Sequence, residues 1–160
     1  GLVIKVNKLN QVKRPLEAHK DLSNFKIYMF DTGLLISQFD ESDIKELLSG
    51  NLGIYKGAIF ENIVAQTFRH KDKKTYYYEP THHLEIDFIT YFEGDITPFE
   101  VKSSIKTSSI SFNNFIDKEK PKKSFRISMK NMGKDEGRNV HYIPFYLFEL
   151  LLDHESTLLI

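Results

Sequence analysis

An acidic residue spaced one residue from a lysine inside an apolar segment is the feature of this sequence best suited to chemistry. The pattern [DE]-x-K occurs three times, but only Glu100-Val101-Lys102 lies within an apolar run typical of a strand. Asp87 lies in the preceding apolar run, with twelve residues between it and Glu100. Carboxylate oxygens suit hard cations such as Mg²⁺, and a neighbouring ammonium stabilises developing negative charge. Asp87, Glu100 and Lys102 are therefore the first candidates for a metal-dependent site.

A fourth acidic residue, Glu61, lies in the middle of a helix predicted over about residues 54–69. At about 100° per residue, one stripe of this helix carries Ile54, Gly57, Ala58, Glu61, Val64, Ala65 and Phe68. A carboxylate on a buried helix face costs free energy unless it is paired, protonated or bound to a metal. Burial thus gives a physical reason for Glu61 to be a ligand.

The strand that carries Asp87 belongs to a predicted meander. Three β-type runs, separated by turns, span residues 75–79, 84–92 and 96–103. Since side chains alternate across a strand, we expect Glu85 and Asp87 to share one face of the second run. Ile86 and Phe88 are expected on its other face.

The third run repeats this arrangement around the [DE]-x-K pattern. Alternation puts Phe99 and Val101 on one face and Glu100 and Lys102 on the opposite one. If the faces of the two runs align, Asp87 converges with Glu100 and Lys102.

The elements that follow complete an α/β pattern. They are a helix that begins at Ser108, strands over residues 123–129 and 140–143, and a helix over about residues 144–152. The helix after Ser108 carries Phe112, Phe115 and Ile116 at the spacing of one helix face, so we expect it to cover the sheet. The predicted fold class is α/β, with a central mixed sheet flanked by helices.

The two ends of the chain differ in character. Residues 25–160 are predicted to form one domain, and residues 1–24 a linker or the remnant of a preceding module. Residues 7–24 are polar, contain Pro15 and show no sustained period. The apolar alternation of residues 2–6 suits an internal strand, so we expect the chain to be a piece of a longer protein.

Composition limits the kinds of site that the chain can build. Cysteine is absent, so disulfides and thiolate zinc sites are excluded, and a metal would need carboxylate, imidazole, carbonyl or water ligands. Lysine plus arginine equals aspartate plus glutamate at 22 each, so contact with DNA would have to be local. No apolar run of membrane length and no leader is present, so we expect no membrane association and a cytoplasmic location.

One basic cluster could supply such a local contact. Its residues are Lys118, Lys120, Lys122, Lys123 and Arg126. Charge runs more often form a solvated face than a binding site, and we interpret this cluster as solvated.

Four ordered motifs together resemble a known family. They are Lys26-Ile27-Tyr28-Met29-Phe30-Asp31-Thr32-Gly33-Leu34-Leu35, Phe60-Glu61-Asn62, Glu85-Ile86-Asp87-Phe88 and Pro98-Phe99-Glu100-Val101-Lys102-Ser103-Ser104. In this order and over nearly the whole chain, they resemble the uncharacterised C-terminal domain found behind prokaryotic AAA-type ATPase modules. That domain of unknown function is similar to the PD-(D/E)XK nuclease superfamily, whose order is helix with Glu, strand with Asp, strand with Glu-x-Lys, helix and strand.

The resemblance implies a restriction-endonuclease-like core over residues 54–130 and a possible Mg²⁺-dependent deoxyribonuclease. By that resemblance Asp87 and Glu100 hold Mg²⁺ or Mn²⁺, the Val101 carbonyl completes the shell, and Glu61 adds a ligand or positions water. Lys102 would orient the attacking water and offset charge on the phosphate. The acidic strand reads Ile86-Asp87 where archetypal nucleases have Pro-Asp, a departure common among distant members.

The resemblance also implies an ATPase domain upstream in the same polypeptide. The phosphate-cradling pattern G-x-x-x-x-G-K-[ST] has no match in these 160 residues, so we expect no nucleotide site in this chain. The partners expected are therefore DNA and the upstream ATPase domain.

A non-catalytic role is the alternative. The nuclease-like fold would then be a module for DNA or protein recognition, coupled to the upstream ATPase. Zero net charge and a large aromatic content favour this alternative. A purely structural interpretation of the four residues also stays open, in which Glu100 and Lys102 are an ordinary pair on a strand, Asp87 is a surface acid, and Glu61 pairs with a distant lysine.

Overall fold

The computed structural model describes residues 1–50, 55–82, 84–104 and 109–153. Within these residues the chain forms an α/β fold with a mixed eight-stranded sheet and five α-helices, which confirms the predicted class. The strands are β1 (Val3–Leu9), β2 (Lys20–Met29), β3 (Tyr76–Thr81), β4 (Leu84–Phe92), β5 (Asp95–Lys102), β6 (Ser124–Ser128), β7 (Gly133–Asp135) and β8 (Val140–Pro144). The helices are α1 (Thr32–Ile36), α2 (Glu41–Leu48), α3 (Tyr55–His70), α4 (Ile110–Glu119) and α5 (Phe145–Asp153).

The strand order across the sheet is β2-β1-β3-β4-β5-β6-β8-β7. The meander β3-β4-β5 is antiparallel, as predicted. Strands β5, β6 and β8 are mutually parallel, and α4 lies in the connection between β5 and β6. Strand β1 is parallel to β3 and antiparallel to β2, while the short β7 pairs antiparallel with β8. A parallel pair needs a crossover connection, so this topology holds a helix beside the strand that carries Glu100 and Lys102.

One hydrophobic cluster joins α3 and α5 to the sheet. It is rich in fully buried aromatic side chains, among them Phe68, Phe88, Phe99, Phe125 and Phe148. The rings of Phe99 and Phe125 stack with centroids 5.0 Å apart, and Phe68 meets Phe148 edge to face at 5.0 Å. This cluster provides the rigid platform behind β5.

A second hydrophobic cluster lies under α4. Phe112, Phe115 and Ile116 of that helix pack with Ile86 and Ile89 of β4, which confirms the predicted covering helix. Neighbouring residues of β4, Phe88 and Ile89, belong to different clusters, so the clusters lie on opposite faces of the sheet.

A β-bulge interrupts β4 next to Asp87. On β3 the paired residues Tyr76 and Tyr78 are two apart, but their partners Ile89 and Ile86 are three apart. The extra residue changes the alternation, so Ile86 faces α4 while Phe88 joins the cluster on the other face. The expectation that Ile86 and Phe88 share a face is therefore wrong.

Residues 7–24 do not form the connecting segment that their composition suggests. They include the end of β1, a 3-10 helix at Leu16–His19 and the first half of β2. Strand β1 pairs with both β2 and β3, so it lies inside the sheet. Lys20 pairs with Leu9 of β1, and the Asp21 carboxylate accepts hydrogen bonds from the backbone N–H groups of Ser23 and Asn24; composition does not encode these contacts.

Local capping signals begin two helices. The side chain of Asp31 accepts a hydrogen bond from the Leu34 backbone N–H at 3.1 Å and caps α1. Ser109 caps α4 in the same way through Phe112; the predicted cap Ser108 and the predicted helix start Ile54 lie outside the described residues. None of the described helices is both long and apolar enough to traverse a bilayer.

Candidate functional site

The site begins where β4 and β5 stop pairing. Their antiparallel ladder runs from Phe92 opposite Asp95 to Phe88 opposite Phe99, and ends there. Beyond this last pair, the backbone N–H of Val101, two residues after Phe99, donates to Oδ2 of Asp87, one residue before Phe88, at 2.7 Å. A carboxylate thus takes the place of the next backbone acceptor of the ladder.

The Val101 carbonyl belongs to the same edge of β5. In an antiparallel strand the N–H and C=O of one residue point to the same side. Because the N–H of Val101 points to Asp87, we infer that its carbonyl lies on that side as well. The predicted grouping of Val101 with Asp87 is thereby supported by backbone geometry.

Glu100 and Lys102 form an ion pair beside this edge. Glu100 is 2% exposed, and its Oε1 lies 2.5 Å from Nζ of Lys102. The other carboxylate oxygen of Glu100, Oε2, is buried and has no hydrogen-bond partner among the described residues. A buried, unsatisfied oxygen on an ionisable group costs free energy until a donor or a cation reaches it.

The surroundings of the Asp87 carboxyl group disfavour its charged form. Burial raises its pKa well above the usual range, and the nearby charges of Glu100 and then Glu61 raise it further. The Val101 N–H and the Lys26 ammonium oppose this effect only in part. Asp87 makes no ion pair with any residue that the structure describes. A proton or a cation would therefore be most stabilising at Asp87.

Glu61 reaches the site from α3 and is held by β2. The Tyr28 hydroxyl donates to Glu61 Oε2 at 3.1 Å, and Nζ of Lys26 lies 3.6 Å from the same oxygen. Lys26 also forms a close ion pair with Glu85 of β4. Glu61 and Glu85 therefore share one lysine.

Lys26 and Tyr28 carry charge effects of their own. Burial alone would lower the pKa of Lys26, but the charges of Glu61, Glu85 and Asp87 outweigh it and raise that pKa. Burial, followed by the charge of Glu61, raises the pKa of the Tyr28 hydroxyl. Lys26 is therefore a fixed cation and Tyr28 a fixed neutral donor over the neutral range.

The sequence reasoning did not assign Lys26 and Tyr28 to the site. Both lie in the first of the four motifs, two residues apart on β2, so they point to the same face. That spacing was a usable signal. Their role could not be recognised from the sequence because Lys26 and Tyr28 are far along the chain from Glu61 and Glu85, and because β2 lies at the edge of the sheet.

Arg126 is a second residue whose placement differs from expectation. It is 3% exposed, so it does not belong to a solvated basic face. One guanidinium nitrogen, NH2, donates to Oδ1 of Asn113 at 3.1 Å, and the group lies 5.1 Å from the Phe112 ring centroid. On β6 it is in register with Glu100 of β5. A buried positive charge therefore flanks Glu100 on the side away from Asp87.

A cavity adjoins the Glu61 side of the site. It measures about 390 Å³ and lies between β2, α1 and α3. Lys26, Tyr28 and Glu61 line one part, and apolar residues such as Met29 and Leu35 line another. The ammonium of Lys26 is consequently reachable from solvent.

The acidic side chains of the site do not form a metal site that is closed by protein ligands on all sides. Among residues 1–50, 55–82, 84–104 and 109–153, no three His, Cys, Asp or Glu side chains form a group that could hold a metal ion. The four predicted residues thus do not converge on one point. Mg²⁺, however, is commonly held by one or two carboxylates and several waters. Asp87, the Oε2 of Glu100 that has no hydrogen-bond partner among the described residues, and the Val101 carbonyl are the groups that could take part in such coordination.

Comparison with known proteins identifies a family but no relative of known activity. No curated protein and no solved structure matches the chain. A family model described as "Domain of unknown function (DUF4143)" matches residues 56–148. This range contains Glu61, Asp87, Glu100 and Lys102 and leaves the first motif, with Lys26, outside, so the match is shorter than the resemblance over nearly the whole chain. Since it nonetheless covers more than half of the 160 residues, the chain belongs to this family, the domain of unknown function DUF4143.

Proposed function

We propose that this domain binds Mg²⁺ or Mn²⁺ at Asp87 and Glu100 and hydrolyses phosphodiester bonds in DNA. The observation that carries the proposal is the buried Oε2 of Glu100, which lacks a partner in the described chain while the pKa of neighbouring Asp87 is raised. Both features are relieved by the same event, the arrival of a positive charge between the two carboxylates.

The residues around that position would have different roles in the reaction. Asp87, Glu100 and the Val101 carbonyl would hold the cation, and Glu61, oriented by Tyr28, would add a ligand or position a water. When bound, the cation would polarise the phosphate and lower the pKa of a coordinated water. Lys102 would orient the attacking water and stabilise charge on the phosphate.

The order of elements supports a restriction-endonuclease-like core of the PD-(D/E)XK type. An antiparallel pair β4-β5 ends in Glu-x-Lys and is followed by a covering helix and the parallel strand β6. In this proposal the domain acts together with an upstream ATPase domain of the same polypeptide.

A second candidate function is a non-catalytic module that docks DNA or protein partners for that ATPase. It is favoured by the edge strand β2, where Leu22 is 74%, Phe25 43% and Ile27 59% exposed. Exposed apolar residues on an edge strand are typical of surfaces that pair with another chain.

Calorimetric titration with Mn²⁺ and Mg²⁺ separates the two candidates. Under the leading proposal the wild type binds the cation and is thermally stabilised by it, while Asp87→Asn loses both effects. Glu41→Gln, an exposed acid on α2, is the matched control and keeps them. A wild type that binds neither cation overturns the proposal of a metal site.

Cleavage assays then test the reaction. With Mn²⁺ present, the wild type is expected to nick or cut at least one of duplex, single-stranded and branched DNA, and Lys102→Ala to reduce the rate by about 10²-fold or more. Retained cation binding by an enzyme inactive on all three substrates would favour the docking role.

A further inference from the structure

We propose that Lys26 is a positioning residue whose ammonium occupies the place of a second metal ion, so that the domain takes one divalent cation. The inference rests on the proposed cation site at Asp87 and Glu100 and adds to it the number of metals. Sites that hydrolyse phosphodiesters often hold two cations, which together neutralise the acidic side chains and the phosphate.

The first step of the argument is the contact geometry of Lys26. Its Nζ forms a close ion pair with Glu85 and lies 3.6 Å from Glu61 Oε2. The two acids come from β4 and α3, so the ammonium of Lys26, on β2, connects these two elements. One positive charge between two carboxylates is also how a bridging metal ion is placed.

The second step is the pairing of charges over the whole site. Lys26 pairs with both Glu61 and Glu85, and Lys102 pairs with Glu100 at 2.5 Å. The buried Arg126 flanks Glu100 from β6, so three positive charges stand against four acids. Asp87 is the one of these four acids that has no ion pair among the described residues. Asp87 has no cationic partner, and Oε2 of Glu100 has no hydrogen-bond donor, among the described residues. Together these two groups leave a place for a single added cation.

The third step is the immobility of the ammonium. The side chain of Lys26 is 26% exposed, and its Nζ lies 5.3 Å from the centroid of the Tyr77 ring. Tyr28, two residues along the same strand, donates to the same oxygen of Glu61 that faces Lys26. An ammonium held by two acids and an aromatic face resembles a fixed ion more than a mobile surface lysine.

The cavity beside Glu61 makes the idea testable. Lys26 and Glu61 both line its wall, so an ion can reach their position from solvent. Removing the ammonium should therefore turn Glu61 and Glu85 into an accessible second site for a divalent cation.

The experiment is Mn²⁺ binding, followed by calorimetry and electron paramagnetic resonance, on the wild type, Lys26→Met and Lys26→Arg. We expect one Mn²⁺ in the wild type and in Lys26→Arg, and a second Mn²⁺ in Lys26→Met. Lys8→Met is the matched control, because Lys8 is similarly exposed at 25% and pairs with Glu79 at 3.8 Å. This control should keep one Mn²⁺.

Other outcomes separate this inference from the proposed function. If the wild type binds no Mn²⁺ but Lys26→Met does, the metal-dependent reaction fails while the role of Lys26 stands. If Lys26→Met binds no more Mn²⁺ than the wild type, or binds it more weakly, the inference is overturned. Circular dichroism checks that the variant folds; if it does not, Lys26→Gln, whose amide still donates to Glu85, carries the same expectation.

Discussion

Asp87 of β4 accepts a hydrogen bond from the backbone N–H of Val101 of β5 at 2.7 Å, just beyond the last paired residues of the two strands, Phe88 and Phe99. A hydrogen bond to a side chain thus connects the two strands where their backbone pairing has ended. The bond holds the Asp87 carboxyl at the edge of β5, next to Glu100, in spite of the cost of placing two carboxylates together. It is this constraint that gives the site its unbalanced negative charge.

The first prediction concerns the pH dependence of stability at Asp87. Burial, then Glu100 and Glu61, raise the folded-state pKa of this carboxyl above its ordinary 3.8. A raised folded pKa gives a stabilising contribution that is complete below the unfolded value and is lost as pH rises through the folded pKa. Asp87→Asn has no such loss, and its amide oxygen still accepts the Val101 N–H. We expect its advantage in Tm over the wild type to grow as the pH rises above 3.8, by about 2–4 °C for each kcal/mol of stability that the wild type loses.

Thermal melts in metal-free buffer across that range measure the effect. Glu41→Gln, with the side chain of Glu41 85% exposed, should follow the wild type at every pH. A constant difference between Asp87→Asn and the wild type would show that the carboxyl does not titrate as its surroundings require.

The second prediction concerns Asn62, which ties α3 to the end of β2. Its side chain accepts from the Met29 N–H at 2.7 Å and donates to the Met29 carbonyl at 3.1 Å and to Thr32 Oγ1 at 2.9 Å. Asn62 is 2% exposed, so Asn62→Ala leaves buried backbone groups without partners. We expect a loss of about 2–3 kcal/mol in the free energy of unfolding.

Urea denaturation measures this loss directly. Asn24→Ala removes a hydrogen bond to Asp21 on the exposed part of β2, and its cost should stay below about 1 kcal/mol. Equal losses in the two variants would mean that burial does not set the value of the Asn62 contacts.

The third prediction concerns Glu17, on the 3-10 helix between β1 and β2. Lys20, then Lys74 and the Tyr76 hydroxyl, lower the pKa of Glu17 from 4.5 to about 2. A lowered folded pKa gives stability that is present above the unfolded value and is lost as pH falls through the folded one. Glu17→Gln should therefore be less stable at neutral pH and equal to the wild type near pH 2.

The size of the Glu17 effect is limited by solvent. The Glu17 side chain is 48% exposed, and ion pairs at such sites contribute less than about 1 kcal/mol. Melts from about pH 2 to pH 7 should show the two curves converging between pH 4.5 and pH 2. A difference that persists unchanged at acid pH would assign the stability to packing and not to charge.

Local patterns in the sequence determined the identity of most elements. Alternation predicted the meander β3-β4-β5, and the spacing of Phe112, Phe115 and Ile116 predicted the helix that covers β4. These features depend on residues close together in the chain, whose periods of 2 and 3.6 residues follow from backbone geometry alone.

Tertiary structure alone decided the charge environment of the site. Lys26 meets Glu61 and Glu85 only because β2 lies at the end of the sheet beside α3, and Arg126 is buried because β6 is parallel to β5 under α4. Strand order depends on the burial of the whole apolar surface, which no single segment specifies. The amino-acid sequence thus identified the carboxylates and the lysine of a possible cation site, and the fold determined which charges already compensate them.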